Sequence, residues 1–90
     1  MTIITSLKGF TFAYPVFVMD NDKVVTITKA SLIDMPELMA YFTETYNCTK
    51  VIFSGNKKYA ENIFTKIKEV YKAKYSKECN LEYEYINIKK

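Results

Sequence analysis

The spacing of apolar positions changes several times along the chain, and each change of period predicts an element. Residues 2–5 form a short β-branched run that predicts a first strand. Ser6-Leu7-Lys8-Gly9 is its expected turn, with Gly9 free to take positive φ. Phe10-Thr11-Phe12-Ala13-Tyr14 alternates with period two, the mark of a strand with two different faces. Pro15 lacks an N–H and predicts a bulge or bend before Val16-Phe17-Val18-Met19 continues that strand. Asp20-Asn21-Asp22 is turn chemistry, so residues 23–29 are expected to return as a third strand and close a hairpin.

The period then lengthens. A first helix is expected from about Asp34, with Asp34 as N-cap, Glu37 completing a capping box and Pro36 tolerated in the first turn. Met35, Leu38, Met39, Phe42 and Tyr46 recur at helical spacing as its core stripe, and Asn47-Cys48-Thr49 ends it. Val51-Ile52-Phe53 is wholly apolar, the pattern expected of a strand covered on both faces. Ser54-Gly55-Asn56 breaks the chain and caps a second helix over residues 57–75. Its apolar members Tyr59, Ala60, Ile63, Phe64, Ile67, Val70, Tyr71 and Tyr75 fill an arc about 160° wide. Residues 76–80 read as a polar turn, and residues 81–88 alternate again as a last strand.

The predicted order is βββαβαβ, or ββαβαβ if the first run stays unpaired. This is an α+β (α/β-like) domain spanning residues 1–90, with one mixed sheet of four or five strands. The longer order resembles the core topology of ribonuclease-H-like folds. That resemblance implies the strand order 3-2-1-4-5. It also implies metal-binding carboxylates on the first strand and at the end of the strand between the helices. Those places read Thr2-Ile3-Ile4-Thr5 and Phe53-Ser54, so the nuclease site is expected to be absent. In such a sheet both crossovers progress the same way, and right-handedness puts both helices on one face. Yet the strands are apolar on both faces: Ile3 opposes Ile4, Ile52 opposes Val51 and Phe53, and Leu81, Tyr83 and Tyr85 oppose Ile86 and Ile88. An open apolar face of several hundred Å² normally marks an interaction site, so a protein partner is expected there, a second copy of the chain included.

Composition narrows the chemistry. Of 90 residues, 49% are apolar and 14 are aromatic, eight of these Tyr, which is enough for a core without disulfides or metal. No His, Arg, Trp or Gln occurs, and all 13 basic residues are Lys. No imidazole is therefore available as a general base or ligand, and no guanidinium for bidentate clamping. Neither a nucleophile–base pair nor a metal-ligand spacing is visible, so no enzyme activity, cofactor or metal is expected. The richness in Lys, Asn, Ile and Tyr suggests an A+T-rich gene of a low-G+C bacterium or its phage. No run is long and apolar enough for a bilayer, and residues 1–8 lack the pattern of a secretory signal. The expected compartment is the cytoplasm, away from any membrane.

Several constellations remain as candidates. Phe10, Phe12 and Tyr14 would share a strand face and could pack beneath the helices, meet a protein, or stack on unpaired bases. Tyr83, Tyr85, Ile86 and Ile88 lie on an expected edge strand that could accept a partner, with Glu82 and Glu84 discouraging uncontrolled pairing. Ser54-Gly55-Asn56-Lys57-Lys58 passes from a strand into a helix N-terminus, where free N–H groups can contact an anion, although the spacing is not that of a P-loop. Asp20 and Asp22 read as a turn, since the Gly and Glu of an EF-hand loop are missing. Cys48 and Cys79 precede parallel neighbouring strands and read as two separate thiols in a reducing cytoplasm. Residues 1–55 carry four Lys and five acids, a net of −1, while residues 56–90 carry nine Lys and five Glu, a net of +4. The excess is interspersed with Glu on the second helix and argues for a solvated face rather than a nucleic-acid groove. The sequence therefore reads first as a non-catalytic protein-binding or regulatory module. Single-stranded nucleic-acid binding, through the aromatic face and the Lys-rich helix, is the alternative.

Overall fold

In the computed structural model, which describes residues 1–9 and 11–87, seven elements follow the order β1 (Thr2–Leu7), β2 (Tyr14–Asp20), β3 (Lys23–Ala30), α1 (Met35–Tyr46), β4 (Lys50–Gly55), α2 (Lys57–Tyr75) and β5 (Glu82–Ile86). The strands form one mixed sheet in the order β3-β2-β1-β4-β5, with β2 antiparallel to both its neighbours and β4 parallel to β1 and β5. This is the order that the ribonuclease-H-like resemblance implied.

Burial alternates along the inner strands and assigns the faces. Ile3, Thr5 and Leu7 of β1, Val16 and Val18 of β2, and Val51 and Phe53 of β4 are buried, and they form one core with Met35 and Met39 of α1 and Ala60, Ile63 and Ile67 of α2. Both helices therefore pack on the same side. Burying these side chains stabilises the fold at roughly 25 cal/mol per Å² of apolar surface taken from water.

Local chemistry fixes the joints between elements. Gly55 takes φ +89 where β4 turns into α2, a region L side chains rarely adopt. A Cβ there would lie 2.5 Å from the Leu7 carbonyl carbon, because β1 runs alongside. The next residue, Asn56, donates its N–H to the Leu7 carbonyl, and its side chain accepts from the Tyr59 N–H as the α2 N-cap. Asn47 and Ser76 end α1 and α2 in the left-handed conformation.

Four expectations need correction. The strand expected over residues 10–14 is not seen at residues 11–13: β1 runs on to Leu7 because it pairs with β4 as far as Gly55, and β2 starts only at Tyr14. Gly9 turns the chain at φ +77, and Tyr14, the first residue of β2, anchors the loop by donating its hydroxyl to the Gly9 carbonyl. Pro15 makes no bulge. It sits near the start of β2 opposite Lys29, its carbonyl accepting the buried Thr5 hydroxyl, while the register break falls between Val18 and Met19. Asp34 precedes α1 but makes no side-chain cap, because its backbone is already helical. Ser31 instead bonds both its N–H and its carboxylate. Finally, β4 is covered on one face only, since Ile52 is half-buried. In β5 the pairing spans Glu82–Ile86, and Ile88 lies outside the described residues.

Candidate interaction surface

The sheet register builds the helix-free face row by row. Ile27 of β3 pairs with Phe17 of β2, Phe17 with Ile4 of β1, Ile4 with Ile52 of β4, and Ile52 with Glu84 of β5. Four large apolar side chains thus cross four adjacent strands in one line. Because a strand sends alternate residues to opposite faces, all four point away from the helices. Ile4, Phe17 and Ile52 are half-buried by their neighbours, whereas Ile27 at the edge is 59% exposed. Val24, next to Met19 in the adjoining row, and Ile86, beyond Ser54 in the other, widen the patch.

Charge is confined to the margins of this face. Lys29 stands on β3, two residues from Ile27. At the other edge Glu82 and Glu84 point to the same side, and the Lys50 ammonium reaches Glu84 at 2.9 Å. That carboxylate holds the Lys50 ammonium above its ordinary pKa. Lys29 and Glu82 make no ion pair among the described residues.

The candidate residues fall on different surfaces. Phe12 and Tyr14 do not share a strand face: Phe12 lies in a bend and is 97% exposed, while Tyr14 is buried on the helix side. Phe10, the third member of that set, lies outside the described residues. Tyr83 belongs to the helix side, its ring 5.7 Å from Phe53 and 5.1 Å from Phe64. Burial pushes its phenol pKa up, and its hydroxyl is the buried side-chain oxygen without a hydrogen-bond partner among the described residues. Tyr85 also turns to the helix side, donating to the Gly55 carbonyl, with the Lys57 ammonium 5.6 Å from its ring centre. Of the β5 set, Ile86 lies on the open face. Of the residues that compose that face, Ile4 and Ile52 were expected to point away from Ile3 and Val51, whereas Phe17 and Ile27 were not singled out, because the alignment of all four depends on register across four strands. The alternation of Thr26-Ile27-Thr28 and the unbroken apolar run Val16-Phe17-Val18-Met19 were the available signals.

At the α2 N-terminus, Ser54 is buried, the Asn56 N–H and the Tyr59 N–H are engaged as described, and Lys58 is exposed. A separate apolar groove of about 490 Å³ lies between the 8–13 loop and α2, lined by Thr11, Phe12, Tyr14, Leu32 and Tyr59. Ile33, 90% exposed, borders its continuation along Ile63 and Lys66.

A polar cluster joins the far ends of the helices. Glu44 accepts from the Tyr71 hydroxyl at 2.9 Å and pairs with Lys77 at 3.0 Å. The Lys77 hydrogen bond, then that of Tyr71, holds the Glu44 carboxyl below its usual pKa, and Lys77 is raised in return. Cys48 and Cys79 are both buried and free. Burial pushes the Cys48 thiol up, which opposes thiolate chemistry. Among the described residues no three His, Cys, Asp or Glu gather as a metal site would require, and no helix is long and apolar enough to cross a membrane. In comparisons with known proteins, no family model, no curated protein and no solved structure matches this chain.

Proposed function

We propose that this chain is a non-catalytic protein-binding module, a cytoplasmic regulator of the size and composition of phage or low-G+C bacterial accessory proteins, and that it works through the helix-free face of its sheet. The observation that carries this reading is the row Ile27–Phe17–Ile4–Ile52. These side chains are aligned by the ladder, left uncovered by either helix and bordered by charge only at the two edges. A contiguous apolar patch with a polar rim is the anatomy of an interface core, and a central Phe suits a binding hot spot.

A non-catalytic role accords with the polar chemistry. Glu44, Tyr71 and Lys77 satisfy one another, which suits a clasp between helices better than a general acid or base. Nucleic-acid binding is the weaker reading, since the aromatic platform it needs is divided between Phe12 in a loop and Tyr14 in the core. Lys68 lies over the Phe64 ring at 5.0 Å, and Lys72 and Lys74 pair with Glu78 and Glu37, which disperses the charge of α2.

The test compares the wild-type chain with a Phe17→Lys, Ile52→Lys variant as baits in extract of the native host, after melting curves establish that both fold. The expected result is a defined protein retained by the wild type and lost from the variant. Equal retention by both would remove the open face as the binding surface. Oligonucleotide titration at low salt is expected to be flat, and salt-dependent binding would favour the alternative.

A further inference from the structure

We propose that a second docking surface lies on the helix side of the molecule, in the apolar groove along α2, and that it takes an acidic amphipathic helix of a partner protein. The groove is separate from the open sheet face, so the two surfaces stand or fall independently.

The hollow walled by Phe12, Leu32 and Tyr59 runs on into a second of about 240 Å³, to which Ile33, Asn62, Ile63 and Lys66 contribute. Leu32 and Tyr59 wall both halves, which makes them one trough. Its lips are very wet for their chemistry. Phe12 is 97% exposed and Ile33 is 90% exposed, the two most exposed large apolar side chains among the described residues. A small molecule lying in the trough would leave much of both lips in water, whereas a helix about 10 Å across covers them. The walls are chiefly aliphatic, with Leu32, Ile33 and Ile63, which suits leucine-like anchors better than flat bases.

Charge selects the kind of helix. Residues four apart on a helix stack along one side, so Lys58, Asn62 and Lys66 form a row on the outer margin of the trough. That row is about 12 Å long, a little over two turns. Both lysines are exposed and make no ion pair among the described residues, whereas Lys72, Lys74 and Lys77 are paired. No acid lines either half of the trough. Glu61 borders the hollow beside Tyr83 instead, the Ser31 hydroxyl holds the Asp34 carboxylate, and Glu69 lies one turn past Lys66. An apolar trough margined by two unpaired ammonium groups complements a helix with apolar anchors on one face and acids on the flank beside them. A basic helix would set like charges together along the same two turns.

Two synthetic peptides of about four helical turns test this. Each carries Leu at i, i+3, i+4 and i+7, with Glu on the polar flanks of one and Lys on those of the other. Fluorescence anisotropy at low salt, with protein up to about 1 mM, reads affinity, and backbone amide NMR shifts of the wild-type chain read the site. The acidic peptide is expected to bind at least about tenfold more tightly than the basic one. It should move the amides of Leu32, Ile33, Asn62 and Lys66 and leave those of Phe17 and Ile27 in place. Phe12→Ser should weaken binding about tenfold, and the double variant Lys58→Glu, Lys66→Glu should reverse the preference between the peptides. All three positions are exposed, so cooperative melting near the wild-type midpoint is expected of both variants. The inference is overturned if the acidic peptide does not bind, if the two peptides bind alike, or if either variant behaves as wild type. Shifts confined to the open face would overturn it too, while supporting that face as the docking surface. An oligothymidylate that occupies the trough where the acidic peptide does not would assign it to nucleic acid instead.

Discussion

Lys50 and Glu84 meet at 2.9 Å on the diagonal of the β4–β5 ladder: the residue directly opposite Lys50 is Glu82, and Glu84 stands opposite Ile52. The ammonium thus leans toward the end of the apolar row instead of across its own rung. It closes that row with an ion pair, where a lone carboxylate beside apolar neighbours would have to keep its water. Both side chains remain well hydrated, so the pair limits what can bind beside Ile52 more than it holds the sheet together. Lys50→Ala and Glu84→Ala are each expected to leave the thermal midpoint close to wild type. A drop comparable with that of a core truncation would show the pair to be structural.

Adjacent isoleucines on β1 offer a sharper contrast. Ile3 is fully buried beneath the helices, and Ile4, one residue on, is half-buried on the open face. Ile3→Ala is expected to cost about 2–5 kcal/mol in urea unfolding, the lost transfer energy plus that of the cavity left behind. Ile4→Ala is expected to cost roughly 1 kcal/mol, because water already reaches its side chain. Equal losses would mean that the two faces are equally sealed.

Much of the architecture was legible because its signals are local. The α2 stripe from Tyr59 to Tyr75 and its Asn56 start need only one helix's own periodicity, and the expected span of residues 57–75 is the observed one. The hairpin turn at Asn21 and the helix end at Asn47 follow from short polar side chains that tolerate positive φ. Residues 10–14 show where local signals stop. Their alternation is strand-like, yet β1 continues to Leu7 because β4, more than forty residues later, offers it a parallel partner. The candidate surface was only half legible for a similar reason. Alternation revealed that Ile4 and Ile52 point away from Ile3 and Val51, but their alignment with Phe17 and Ile27 in one row is a property of pairing.

Two glycines with similar backbones should respond differently to the same substitution. Gly9 and Gly55 both take positive φ, but a Cβ on Gly9 meets nothing within 4 Å, while one on Gly55 meets backbone atoms of Leu7 and Lys8 at 2.5–2.8 Å. Gly9→Ala is expected to cost about 1 kcal/mol, the strain of the left-handed conformation alone. Gly55→Ala adds a clash that backbone must move to relieve, and the atoms in the way belong to the central strand. It should cost several times more and separate α2 from the end of β1. Hydrogen exchange at the Asn56 amide, which bonds to Leu7, reports that separation. Similar losses for the two variants would show that the β1–α2 approach relaxes freely.

The clasp at Glu44 gives the fold a pH dependence with a definite sign. Its carboxyl is held below the ordinary value of 4.5 by Lys77 and then by the Tyr71 hydroxyl, both of which favour the charged form. A carboxyl whose folded-state pKa is depressed contributes stability that is fully present above its unfolded value. That contribution fades as pH falls through the lower, folded one. The wild type should therefore exceed Glu44→Gln in urea midpoint near pH 7, and the gap should close as pH drops below about 4.5. Tyr71→Phe removes one of the two bonds that stabilise the carboxylate and leaves Lys77 in place, so it should narrow the pH-dependent part without abolishing it. It also removes the phenol that burial and Glu44 both hold in its neutral, donating form, so no compensating titration near neutral pH is expected. Midpoints measured at pH 7, 5, 4 and 3 distinguish the outcomes. A wild-type advantage over Glu44→Gln that persists unchanged at pH 3 would mean that the carboxylate charge contributes nothing, and that Glu44 joins α1 to α2 and the 76–80 turn through shape and packing alone.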